Sequence, residues 1–335
     1  MSYTIGRDAR CVVVGHGSWA TALVKILAQN GTQTGWYISD PDVARHIAER
    51  GTNPRYLSDV HFDTDRLHIY GDINEAVSES DIVILVVPSA FLKSMLEPLT
   101  VPLDGKFVVS AIKGIVPDDF VTVTEYINSR YGVSSDRLGI IAGPSHSEEV
   151  ALERLSYLTI VSQDMENAEA LCGRFRNDYI RANPSTDLYG AEYASVLKNI
   201  YAICTGMAVG LGYGDNFLAV LVSNASMEMN RFLSESYAHP RDTSASAYLG
   251  DLLVTCYSQF SRNRTFGAMI GKGYRIRSAM AEMNMVAEGY YASECITQVN
   301  KRFGIEMPIA ECVYRILYGG APAAKEIAAL TKKLF

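Results

Sequence analysis

No apolar stretch in this chain approaches the ~20 consecutive residues that cross a bilayer, and no basic segment leads into an apolar signal core. The expectation is a soluble, cytoplasmic protein with no stable membrane insertion. An excess of positive charge is missing too: 30 Lys and Arg stand against 37 Asp and Glu, a net charge of −7. Nucleic acid is held by clustered cations, so this balance argues against it as a partner, and any anionic ligand has to find local cations. The six cysteines, Cys11, Cys172, Cys204, Cys256, Cys295 and Cys312, form no Cys-x-x-Cys pair and have no histidine partner at zinc-site spacing. They read as buried reduced thiols, and no metal site is expected. Internal repeats and low-complexity tracts are also absent.

What is present begins with Val12-Val13-Val14-Gly15-His16-Gly17-Ser18-Trp19-Ala20, an apolar strand that runs into a glycine-spaced turn and then a helix-like segment. A dinucleotide-binding βαβ unit starts in this way. Its turn must be tight, its backbone must approach a pyrophosphate and the helix must pack close to the sheet, so Gly15, Gly17 and Ala20 are suitably small. A nucleotide-free turn on an α/β sheet is the other reading of the same glycines.

With 335 residues, the chain exceeds the size at which one core usually stops growing, and an apolar content of 48% can fill two. Thr34–Ile38, the continuous apolar run Asp81–Pro88, Phe107–Ser110, Leu138–Pro144 and Leu158–Val161 read as further strands. From about residue 190 helical periodicity takes over, and Lys325–Leu330 reads as a last amphipathic helix. The fold class expected is α/β, a Rossmann-like doubly wound sheet domain over residues 1–189 followed by a mostly α-helical domain over 190–335. The polar, proline-bearing Asn183-Pro184-Ser185-Thr186-Asp187 is the expected junction.

Several places could carry chemistry. On a helix over 191–209, at ~100° per residue, Lys198 shares a face with Ala191, Ala194, Ser195, Ala202 and Thr205, opposite Val196, Ile200, Ile203 and Met207. Such a lysine either serves proton transfer once desolvated or snorkels to water from an ordinary face. Asp251 and Thr255, four apart, share a helical face; the carboxylate either meets a helix N-terminus or faces Lys198. Ser261-Arg262-Asn263-Arg264 offers a planar donor fork and an amide for a phosphate, or is a solvated turn. Lys113, after a predicted strand, and Gly143-Pro144-Ser145, after the next, stand where an open α/β sheet places its ligands. Glu288 could accept from a nicotinamide amide or cap a helix, and His16 and His146 read as contacts, not metal ligands.

Taken together, these stretches resemble the NAD(P)-dependent glycerol-3-phosphate dehydrogenases over nearly the whole chain. The resemblance is carried by Gly15–Leu23, Asn53-Pro54-Arg55-Tyr56-Leu57, Ile112-Lys113-Gly114, Gly143-Pro144-Ser145, Leu197-Lys198-Asn199, Gly210–Asn216, Gly250-Asp251-Leu252, Ser261–Arg264 and Val286-Ala287-Glu288-Gly289. It implies reversible reduction of dihydroxyacetone phosphate to sn-glycerol 3-phosphate by NADH or NADPH, feeding phospholipid synthesis. The same resemblance makes Lys198 the general acid/base, with Lys113, Asp251 and Thr255 completing the catalytic cluster. Lys113, Gly143, Ser145, Asp251, Ser261, Arg262 and Asn263 would border the phosphorylated triose. Gly15, Gly17, Ser18, Trp19, Ser39, Lys113, Ser147, Arg262 and Glu288 would meet NAD or NADP.

The chain departs from the family pattern at several positions. Ser39, followed by Asp40, stands where a basic residue commonly meets the 2′-phosphate of NADP, which leaves the choice between NAD and NADP open. Ala20 replaces a common glycine, Ser223-Asn224-Ala225 replaces Thr-Arg-Gly, and His146 stands where Phe is common. Another two-domain hydroxyacid or phosphosugar dehydrogenase and a non-catalytic dinucleotide sensor are the rival readings. The cationic set Lys113, Lys198 and Arg262 disfavours the sensor. A homodimer is the base-rate expectation for a soluble enzyme.

Overall fold

The computed structural model describes residues 3–283 and 287–335, so Val286 lies outside the described residues. The chain forms two compact units, Met1–Ile112 with Val123–Leu188, and Lys113–Thr122 with Tyr189–Phe335. Where the sequence puts a single junction at 189/190, the chain also lends Lys113–Thr122 to the second unit.

The first unit is built on eight strands: β1 (Cys11–Val14), β2 (Thr34–Tyr37), β3 (Leu67–Tyr70), β4 (Ile82–Leu85), β5 (Phe107–Ser110), β8 (Leu138–Ala142), β9 (Ser156–Ser162) and β10 (Ile180–Ser185). They lie in the order β10-β9-β8-β5-β4-β1-β2-β3. Every neighbouring pair is parallel except β8 with β9. The chain leaves β1 toward β2 and β3 on one side and returns to β4 on the other, so the strand order reverses beside β1. In open α/β sheets that reversal, at the carboxyl ends of the strands, is where ligands bind. Strands β1, β4 and β5 are buried at every residue, which is why they read as unbroken apolar runs and not as alternating ones. Trp36, Phe107, Leu23 and Ile26 anchor the core of this unit.

Two features depart from the sequence reading. Edge strand β3 has a mixed burial pattern and gives no apolar run to detect. The segment expected as a junction, Asn183-Pro184-Ser185, is the end of β10. Proline is tolerated there because β10 is an edge strand paired only with β9, so a missing N–H costs no ladder bond on the outer side.

The second unit holds a two-stranded antiparallel hairpin, β6 (Ile115–Val116) and β7 (Val121–Thr122), and otherwise helices among its described residues. Its axis is the helix Leu188–Gly210, in which every residue from Gly190 to Ala208 is buried. The expected contrast between a small face and a bulky face is therefore not one of exposure: both faces are packed. Other backbones come close at Gly206 and Gly210 and at the carbonyls of Ile203 and Met207. A Cβ on Gly206 would lie 2.0 Å from the Arg264 carbonyl oxygen, and one on Gly210 2.3 Å from that of Ala268. Reciprocally, a Cβ on Gly267 would lie 2.1 Å from the Ile203 oxygen, and one on Gly271 2.3 Å from that of Met207. Two Gly-x-x-x-Gly pairs thus let the helix Arg262–Gly271 rest directly on the long helix. All six cysteines are free and buried, as the sequence suggests. Among the described residues no helix is long and apolar enough to cross a membrane.

The helix crossing gives a direct test. Gly267→Ala forces a methyl into a backbone oxygen and is expected to lower unfolding free energy by about 1–3 kcal/mol, the usual cost of overpacking. Gly173→Ala, in the helix Met165–Phe175 with open space at its Cβ, is expected to raise it by about 0.5–1 kcal/mol. Urea unfolding of both variants checks this, and equal effects would contradict the close crossing.

Candidate active site

The glycine turn is locked by side chains from elsewhere in the first unit. Gly15 has φ +121°, and a Cβ there would sit 2.3 Å from the Val86 carbonyl oxygen, so no other residue fits. The Trp36 indole N–H donates to the Gly15 carbonyl at 2.7 Å. The fully buried Asn53 donates to the His16 carbonyl at 2.9 Å and to Thr21 Oγ1 at 2.8 Å. Gly17 then N-caps the helix Ser18–Gln29 in extended conformation, with no side-chain cap, no acidic residue in the first turn and open space beside its Cα. A helix N-terminus with no capping side chain and no acidic first-turn residue suits an anion such as a pyrophosphate. Ser18 is buried and Trp19 half-buried at this end.

Ser39, two residues beyond β2, is exposed. Asp40 caps the helix Pro41–Arg50: its Oδ1 accepts from the Asp42 and Val43 N–H groups at 3.0 and 3.2 Å. Gly143 follows β8 with φ +102°, its missing Cβ leaving room for the Tyr157 carbonyl. Ser145 donates to the Gly143 carbonyl at 3.0 Å, and buried Ser147 opens a short helix and donates to Glu148. These residues stand at the carboxyl edge of the sheet.

In the second unit the charged residues converge. Asp251 begins the helix Asp251–Tyr257, after one π-helical turn, and its carboxylate is 1% exposed. Lys198 Nζ lies 2.5 Å from its Oδ1, and Lys113 Nζ lies 3.6 Å from its Oδ2. Of the two sequence readings for Asp251, the second holds: the π turn runs directly into its helix and its side chain makes no helix cap, while the carboxylate faces Lys198. Oδ2 is buried and accepts no hydrogen bond. Burial drives the Lys198 ammonium down to about 7; Asp251 opposes the shift and Lys113 adds to it. A lysine so desolvated changes protonation near neutrality, which an exposed lysine does not. Thr255 is buried beside Asp251 but turns its hydroxyl to the Asp251 backbone carbonyl at 2.5 Å.

A line of amides fixes this cluster. The Gly289 N–H donates to Asn263 Oδ1 at 2.9 Å, Asn263 Nδ2 donates to Asn199 Oδ1 at 2.9 Å, and Asn199 Nδ2 donates to the Lys113 carbonyl at 2.8 Å. Four segments are pinned in this way, and Gly289 is close enough that a Cβ would lie 2.5 Å from the Asn199 carbonyl oxygen. Ser261 caps the helix that carries Arg262 and Asn263, accepting from the Arg264 N–H at 3.3 Å. Glu288 is the first residue of the helix Glu288–Asn300.

The second unit thus holds Lys113, Lys198, Asp251, Thr255, Ser261, Arg262, Asn263 and Glu288, and the first holds Gly15, Gly17, Ser18, Trp19, Ser39, Gly143, Ser145 and Ser147. The sequence reading gave no separate role to Asn199, Asn53 or Trp36. Asparagine directly after Lys198 was the available signal for the first, and nothing local marks Trp36.

Comparison with known proteins identifies the family. Residues 10–168 match the family described as NAD-dependent glycerol-3-phosphate dehydrogenase N-terminus, and residues 187–328 match its C-terminus. The chain is 36% identical over 317 residues to a glycerol-3-phosphate dehydrogenase [NAD(P)+] of Chlorobium limicola, covering 94% of this chain and 95% of that protein. It is 33% identical over 322 residues to the protein of the same name from Staphylococcus haemolyticus, covering 95% and 96%. The crystal structure of glycerol-3-phosphate dehydrogenase from Coxiella burnetii superposes with a TM-score of 0.89 at 27% identity, over 97% of this chain and 99% of that one. The chain belongs to the NAD-dependent glycerol-3-phosphate dehydrogenase family.

Proposed function

We propose that this protein is a cytoplasmic NAD(P)-dependent glycerol-3-phosphate dehydrogenase that interconverts dihydroxyacetone phosphate and sn-glycerol 3-phosphate, with Lys198 as the proton donor and acceptor. The observation that carries the reading is the Lys198–Asp251 pair: a lysine only 5% exposed, 2.5 Å from a buried carboxylate, with a second lysine on the other carboxylate oxygen. Reducing a ketone builds negative charge on its oxygen, and preorganised cations in a dry site stabilise that charge.

A nicotinamide cofactor, when held by the glycine turn, would supply the hydride that reduction adds to the substrate C2. Lys198 gives its Nζ proton to the oxygen that becomes the alcohol, and in oxidation the neutral amine takes that proton back. Asp251 holds the ammonium in place, and its unbonded Oδ2 is an acceptor suited to the substrate's primary hydroxyl. Lys113 adds a second positive charge. Arg262, with the one Asn263 amide hydrogen not spent on Asn199, is assigned to the substrate phosphate, and Ser261 borders it. Gly15, Gly17, Ser18 and Trp19 are assigned to the dinucleotide, on the fit of a helix N-terminus that has no side-chain cap and no acidic first turn to a pyrophosphate. The product is a phosphorylated glycerol suited to acylation in phospholipid synthesis.

Nicotinamide absorbance during incubation with dihydroxyacetone phosphate tests the activity. Lys198→Ala is expected to lower kcat at least ~100-fold, within the range for loss of a general acid, while dinucleotide affinity stays within about threefold. Near-normal turnover would overturn the role of Lys198. The electrostatics have their own check, by NMR titration of isotope-labelled lysine. Asp251→Asn removes the charge that raises the Lys198 pKa, so the ammonium is expected to titrate lower still, whereas Lys113→Met is expected to move it upward. Shifts of the opposite sign would contradict the cluster.

A further inference from the structure

We propose that Arg55, together with Ser39, forms the 2′-phosphate subsite of the dinucleotide and makes this chain prefer NADP(H) over NAD(H). The inference rests on the dinucleotide reading of the first unit given above.

In a Rossmann-type unit the carboxyl end of the second strand decides between the cofactors. An acidic residue there takes the ribose hydroxyls of NAD, and an arginine there accommodates the 2′-phosphate of NADP. Sequence alone leaves the matter open, because Ser39 has no charge and Asp40 follows it. The structure shows how Asp40 is spent. One carboxylate oxygen takes both the Asp42 and Val43 N–H groups as a helix cap, and the other pairs with Arg55 Nη2 at 2.6 Å. A carboxylate bound on both oxygens is a poor acceptor for a ribose diol. It serves instead to hold a guanidinium at the end of β2.

Arg55 arrives there from a different segment. Asn53, which fixes the glycine turn through His16 and Thr21, also accepts the Arg55 N–H at 3.0 Å, so the residue that shapes the pyrophosphate turn also places this arginine. The Arg55 side chain is 55% exposed, and only Nη2 is engaged, leaving the rest of its donor fork open. The Ser39 hydroxyl is exposed in the same corner. His16, between the two glycines, lies in the field of both Asp40 and Arg55, and its buried Nδ1 has no hydrogen-bond partner. Turn, serine and guanidinium therefore form one corner at the ends of adjacent parallel strands β1 and β2. A phosphate dianion matches an arginine fork and a serine hydroxyl, and a neutral hydroxyl gains much less from them.

Calorimetric titration of the full chain with NADPH, NADH and adenosine 2′-monophosphate tests the assignment without turnover. The wild type is expected to bind NADPH at least tenfold more tightly than NADH. Arg55→Ala is expected to bring that ratio within threefold and to abolish adenosine 2′-monophosphate binding, with NADH affinity changed less than threefold. Arg55→Lys is expected to retain part of the preference, and Ser39→Asp to reverse it toward NADH. Equal loss of both dinucleotides in Arg55→Ala would show that the residue only supports the turn, and NADH bound as tightly as NADPH by the wild type would refute the subsite. Binding of neither dinucleotide would overturn the cofactor reading itself, and the subsite with it.

Discussion

A single buried carboxylate organises the charged cluster of the second unit. Asp251, 1% exposed, faces Lys198 with one oxygen and Lys113 with the other. Removing Lys198 and Asp251 from water costs far more than a surface ion pair returns, so such a cluster persists only where geometry and packing hold it. Its balance sets where Lys198 titrates. Burial alone would strip the proton from the amine, and Asp251 alone would retain it to high pH. The two together, with Lys113 opposing Asp251, bring the titration close to neutrality.

The scaffold serves that balance by bringing backbones unusually close. Gly206, Gly210, Gly267 and Gly271 let two helices touch through their main chains, so the turn bearing Arg262 and Asn263 is set against the helix bearing Lys198 with no side chain between them to relax. The amide line from Gly289 through Asn263 and Asn199 to Lys113 ties the same helices to the hairpin β6–β7. Lys113 follows a strand of the first unit, yet it belongs to the second because its carbonyl is fastened to Asn199 and its ammonium to Asp251. Asn53 does comparable work in the first unit, where it holds the glycine turn and the loop after it in one network.

Much of this was legible from sequence, for identifiable reasons. The apolar runs of β1, β4 and β5 are unbroken because those strands are buried throughout, and Phe107–Ser110 was read to its exact ends. Lys198 and Asp251 were both singled out, but helical spacing could not say that residues 53 apart in sequence would meet; only folding places the start of one helix against the middle of another. Edge strands were the weak point: β3 alternates poorly, and Pro184 disguised the end of β10 as a linker. The glycines of the helix crossing carry no local signal, because their reason is a partner helix, invisible to any local pattern. Asp40 was misleading in isolation, since its acceptors are used within its own helix and by Arg55.

The account stands on a lysine that titrates near neutrality, and the pH dependence of kcat/KM in both directions measures that most directly. Reduction of dihydroxyacetone phosphate needs the ammonium, so its rate should fall as pH rises through about 7, while oxidation of sn-glycerol 3-phosphate needs the free amine and should rise through the same point. Mirror-image limbs that both move to lower pH in Asp251→Asn would support the cluster as the proton source. Profiles flat in both directions up to the ordinary lysine range would contradict it.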